Sequence, residues 1–112
     1  MEKVSTIALL EELYRRGGHP GALAEAALLC IKKSEDYNNG FVDPHNIDRS
    51  HYFPFGTVSY AHMIHTKALR FVSLTRNELN GKDPNFEGLR DTALDIINYA
   101  GFFVDHCKAC EE

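Results

Sequence analysis

An all-α fold is what this sequence predicts: a small four-helix bundle-like domain with one long crossover loop, spanning residues 1–112 as a single helical domain. Two observations carry that expectation. Apolar residues recur at i, i+3 and i+4 in four separate stretches, the spacing of one buried helix face. Between them stand breakers, Gly17-Gly18, Asn38-Asn39-Gly40 and Asn80-Gly81, while residues 38–56 carry no helical or strand period.

A first helix is expected over 3–16, with Ile7, Leu10 and Tyr14 on one side, Leu9 and Leu13 beside them, and Glu11, Glu12, Arg15 and Arg16 covering the rest. The Gly17-Gly18 pair suits a left-handed stop, and Pro20 suits the first turn of the next helix, where its missing N–H costs nothing. That second helix is expected over 20–36. Leu23, Ala26, Ala27, Cys30 and Ile31 form its buried side, small enough in places for close helix approach. Lys32 and Lys33 near its end complement the helix dipole, whereas Asp36 opposes it and calls for a local partner or a cation.

Residues 38–56 form the expected crossover loop, and an aperiodic segment of that length in a small domain is usually functional or an oligomer contact. Its aromatic residues argue against simple disorder. Tyr52 and Phe53 suit either stacking on a base or plugging the core, and the plug is favoured. A third helix follows from Gly56-Thr57 to about Leu79, with Thr57 or Ser59 as its cap. Tyr60, Ile64, Ala68, Phe71, Val72 and Leu74 supply its apolar side, and Met63, Lys67, Arg70 and Asn77 lie along an adjacent stripe. His62 and His65 share a face, but HxxH lacks the glutamate and spacing of a zinc helix, so surface or partly buried histidines are expected. The turn cluster 80–85 supplies Asp83 or Asn85 as the next cap.

The fourth helix, Gly88 to about Cys107, has two faces. Leu89, Ala93, Ile96, Ala100 and Phe103 form an apolar stripe, and Asp91, Asp95 and Asn98 recur at i, i+4 and i+7 about a quarter-turn away. Two carboxylates one turn apart repel by a few tenths of a kcal/mol, roughly, so stability alone does not select them. They sit in water, pair with bases from a neighbouring helix, or hold a divalent cation or the polar groups of a ligand. Lys67 and Arg70, one turn apart, suit either a phosphate or those two aspartates.

Composition sets the outer limits. A formal net charge of −4 with no basic run excludes tight nonspecific binding to a nucleic-acid backbone. No apolar run reaches the length of a bilayer span, and Met1-Glu2-Lys3 begins no signal peptide, so a cytoplasmic protein without membrane partners is expected. Three cysteines argue against a disulfide framework. His106, Cys107 and Cys110 with Cys30 have the residue types of a Cys3His zinc site, but reduced, idle thiols are the default. Four short helices with this many aromatics leave apolar surface that commonly becomes a self-interface, so a homo-oligomer is expected.

Three segments, Lys33-Ser-Glu-Asp-Tyr-Asn-Asn-Gly40, His65-Thr-Lys-Ala-Leu-Arg-Phe-Val-Ser-Leu74 and Asp91-Thr-Ala-Leu-Asp-Ile-Ile-Asn-Tyr-Ala100, resemble in order and spacing a helical family common in bacteriophages, the nucleotide-modification-associated domain. The likeness covers roughly residues 25–104. The Asp95–Tyr99 segment is also similar to the last motif of the MazG-type all-α nucleoside triphosphate pyrophosphatases, which bind magnesium through paired acidic motifs. The chain departs from that pattern: Thr92 stands where the motif has glutamate, and the second helix has Glu25, Glu35 and Asp36 but no EExxE. Fewer acidic ligands weaken a metal site and the activation of water.

The resemblance implies binding of a small phosphorylated nucleotide. In the hydrolytic version, a magnesium-dependent nucleotide diphosphohydrolase of phage nucleotide metabolism, Asp36, Asp91 and Asp95 hold the cation, with Asp91 and Asp95 catalytic. Lys33, Lys67 and Arg70 contact phosphates, and Tyr37 and Asn98 orient sugar or base. The alternative is a non-catalytic phage protein that sequesters a nucleotide-derived, cyclic signalling molecule with the same basic and aromatic groups and no metal.

Overall fold

The computed structural model describes residues 5–37, 53–81 and 86–111; the remaining residues, and the side chains of 34–37, 86–87 and 109–111, lie outside that description. Four α-helices follow in order, α1 (Thr6–Arg16), α2 (Gly18–Tyr37), α3 (Thr57–Leu79) and α4 (Phe86–Glu111), and no strand occurs among the described residues. The fold is all-α. No helix among the described residues is long and apolar enough to cross a membrane. The chain divides into two compact units, Met1–Arg49 and Ser50–Glu112, one holding the α1–α2 pair and the other the α3–α4 pair.

In the first unit, α1 begins later than the sequence suggests because Ser5 caps it: its Oγ accepts a hydrogen bond from the Ala8 N–H at 3.1 Å. Glu12 pairs with Arg15 and, at 3.0 Å, with Arg16 on the exposed side. The helix stops at Gly17, whose φ of 77° is open to glycine, and whose N–H is shared between the Leu13 and Tyr14 carbonyls at 3.2 and 3.1 Å. Its own carbonyl accepts the Gly21 N–H at 3.1 Å, so α2 starts at once and Pro20 falls in its first turn. Close approach of the pair is made at Gly21. A Cβ there would stand 3.0 Å from the Leu13 carbonyl oxygen and 3.3 Å from that of Tyr14.

The faces differ in detail from the periodicity. Tyr14, Leu9 and Leu13 are exposed, and no residue of α1 is fully buried. In α2, Leu23 is exposed while Ala24, Ala26 and Ile31 are buried, so the small residues take the inner positions. A helix that approaches its neighbour backbone to backbone at Gly21 leaves room inside for methyl groups rather than for leucine.

In the second unit, the chain enters through a turn at Phe53–Gly56, closed by the Gly56 N–H to the Phe53 carbonyl at 3.3 Å. Neither Thr57 nor Ser59 caps α3 in the expected way. Gly56 occupies the cap position with φ 56° and no side-chain bond, while the buried Ser59 turns back and its Oγ accepts the Phe55 N–H at 2.9 Å. The far end closes with the Asn80 N–H on the Arg76 carbonyl and Gly81 in a left-handed conformation. The expected Asp83 or Asn85 cap of α4 lies outside the described residues, as does the crossover loop up to residue 52. At its other end α4 continues past Cys107 to Glu111.

Aromatic rings hold this unit together. Phe53 stacks on Tyr60 with ring centroids 4.2 Å apart and planes 10° from parallel. Tyr99 and Phe102 meet Phe53 edge-on, while Phe103 and His106 flank Tyr60. Phe53 is therefore a core plug, as expected; its neighbour Tyr52 lies outside the described residues. Ala68, Phe71 and Val72, expected on the apolar side of α3, are exposed, and so is Ala100 of α4. The inward positions of α4 are Leu94 and Thr92.

Candidate functional site

The helix registers that seat the aromatic cluster also set the polar groups. With Tyr60 beside Phe103 and His106, the two helices run antiparallel, and Lys67 comes level with Asp95. Its Nζ lies 3.2 Å from Asp95 Oδ2, both side chains about a quarter exposed (24% and 22%). Among the described residues the two stripes meet at the Lys67–Asp95 pair. Arg70, one turn along α3, is exposed and has no carboxylate partner among the described residues. Asn98, one turn beyond Asp95, is half-buried, and Asp91, one turn before it, is exposed. The result is a seam with two cationic groups and one withdrawn carboxylate.

Thr92 explains a departure that the sequence left unexplained. It is 2% exposed and its hydroxyl donates to the Gly88 carbonyl at 2.6 Å, within the helix. A glutamate here would place a carboxylate in the interior, where an unpaired charge is costly. Position 92, where the motif it resembles has glutamate, is a packing position in this chain.

The residues expected from the second helix belong to the first unit. Lys33 is exposed, and the side chains of Asp36 and Tyr37 lie outside the described residues. His62 and His65 are both exposed, as anticipated. Cys30 and Cys107 are half-buried and in no disulfide among the described residues, and the Cys110 side chain is outside the described residues. Among the described residues no three His, Cys, Asp or Glu side chains converge as a metal site would require.

The fit to magnesium is poor on the seam itself. Asp95 faces an ammonium rather than an open coordination position, and Asp91 stands in solvent. The same donor set suits an anion: Arg offers a planar fork, and Lys a point charge.

Periodicity missed two participants. The spacing singles out His106 only beside the cysteines, yet its ring lies 5.2 Å from that of Tyr60, and a Cβ on Gly56 would stand 3.8 Å from its Nε2. Its spacing of three and four residues from Phe103 and Phe102 was the available signal. Ser59, with Thr57 an expected cap, instead anchors the turn that carries Phe53, a role that no spacing announces.

No protein-family model matches this chain, and neither a curated protein nor a solved structure matches it.

Proposed function

We propose that the protein binds a small phosphorylated nucleotide on the α3–α4 seam, with Lys67 and Arg70 taking the phosphate and Asn98 a sugar or base edge. The single observation behind this reading is the Lys67–Asp95 contact at 3.2 Å, partly withdrawn from water, with the Arg70 guanidinium one turn away. Side chains three residues apart on a helix have Cβ atoms about 5–6 Å apart, a span that one phosphate group bridges. Membership of the phage nucleotide-modification-associated family and a cytoplasmic setting in phage nucleotide metabolism belong to the same proposal.

Two forms of the reading differ in chemistry. The hydrolase form needs Asp91 and Asp95 to turn to magnesium. The non-catalytic form needs only the cations, and the engagement of Asp95 by an ammonium favours it. Melting temperatures measured against mono-, di-, tri- and cyclic nucleotides, with and without magnesium, separate them, because a ligand that binds the native state alone raises its stability. The expected outcome is a shift with at least one nucleotide in the absence of magnesium, recovery of that nucleotide intact, and loss of the shift in Lys67→Gln. No shift with any member of the panel ends the reading. Magnesium-dependent phosphate release that disappears in Asp95→Asn makes the hydrolase form the right one.

Self-association is proposed on a second observation. Val58, Leu69, Val72 and Leu79 are all exposed and, with His62, His65 and Arg76 between them, follow one heptad-spaced line along α3. Sedimentation velocity of the full chain should show an oligomer that Leu69→Asp disperses.

A further inference from the structure

We infer that Asp95 is a built-in competitor for the anion site, a carboxylate that holds Lys67 closed until a more strongly charged phosphate displaces it. The inference rests on the phosphate reading of this seam and assigns Asp95 a role opposite to that of a catalytic or metal-holding residue.

The geometry carries it. Asp95 sits on the seam side of α4 with only 22% of its side chain exposed, so it meets Lys67 partly withdrawn from water. Lys67 reaches it on a four-carbon stem with rotatable donors. An arriving anion therefore meets an ammonium already neutralised at 3.2 Å and must draw Lys67 away from Asp95. Arg70, exposed one turn along α3, provides the first hold. A phosphate monoester carries about 1.5–2 negative charges at pH 7 and three acceptor oxygens, enough for the guanidinium fork and the ammonium together. The ligand class is a terminal phosphate group rather than a carboxylate, which has one charge and duplicates the occupant.

Removing the charge of Asp95 then has a signature that a purely structural aspartate lacks. Anion binding should tighten, and tighten more for a dianion than for a monoanion, because the lost repulsion scales with ligand charge. Inorganic phosphate and dimethyl phosphate at pH 8 and fixed ionic strength provide the dianion and the monoanion without base or sugar. They are titrated against wild type, Asp95→Asn and Asp95→Ser while the Lys67 Cε and nearby backbone resonances are followed. The expected result is affinity for inorganic phosphate at least about fivefold higher in both variants, a smaller gain for dimethyl phosphate, and no response at this seam in Lys67→Gln.

Unchanged or weaker phosphate binding in a folded variant overturns the inference, even where the nucleotide panel succeeds with wild type. Equal gains for the two anions, or no response at Lys67 in any protein, overturn it as well. A silent nucleotide panel beside charge-graded tightening by phosphate ends the nucleotide reading and leaves the competitor role of Asp95 standing.

Discussion

The α1–α2 pair and the α3–α4 pair solve the same packing problem with different materials. In the first, backbone meets backbone where Gly21 passes the Leu13 and Tyr14 carbonyls, and the buried side chains of α2 are mostly alanines. In the second, rings fill the space between helices, with Phe53 and Tyr60 stacked at the centre. Close approach buries little apolar surface per residue but tolerates no added atom, while ring packing buries much and loses much when a ring is removed. The pair built on rings also brings long polar side chains together at its edge, where Lys67 reaches Asp95.

The contrast breaks most visibly at Phe53. Replacement by alanine should cost about 3–5 kcal/mol, as truncation of a buried aromatic does, with a lower denaturant midpoint and loss of near-ultraviolet dichroism. A loss below about 1 kcal/mol would mean that the rings are not what holds the second pair. Next in size is Gly21→Ala. The new methyl meets fixed backbone oxygens, one at 3.0 Å, so about 1–3 kcal/mol of strain outweighs the helix propensity gained, and faster amide exchange should appear in α1 and α2. A stabilised variant would show that the close approach is not tight.

Thr92→Val sharpens the comparison at a polar point inside the ring-packed pair. It keeps the volume and removes the 2.6 Å bond to Gly88, so a loss of about 0.5–1.5 kcal/mol is expected from equilibrium unfolding. The smallest effect belongs to Glu12→Gln on α1. Its two arginine partners are largely exposed, and such pairs contribute about 0–1 kcal/mol, so the melting temperature should move only slightly, and less still at high salt.

Helix number and breaks were legible in the sequence because their causes are local. Gly17 and Gly81 take left-handed conformations that few other residues accept, and each ends a helix where it stands. Which face turns inward was only partly legible, because a partner decides it. Leu23 and Ala24 are neighbours, and periodicity preferred the larger one, yet a helix held close at Gly21 selects the smaller. Phe71 and Val72 looked interior by character and are exposed, Phe71 at 38% and Val72 at 44%. The Lys67–Asp95 meeting was readable as two stripes of opposite charge on successive helices. Its register was not, because the aromatic contacts that set it come from residues spread from Phe53 to His106.

The stacking of Phe53 on Tyr60 has an optical consequence. The chain has no tryptophan, and of its five tyrosines Tyr60 and Tyr99 lie in the ring cluster, whereas Tyr14 is exposed. Aromatic dichroism arises where rings are fixed in asymmetric surroundings and fades where they rotate in water. The native protein thus carries a label-free chromophore for its second helix pair, against which melting of the first, followed by backbone signals, can be timed in one sample.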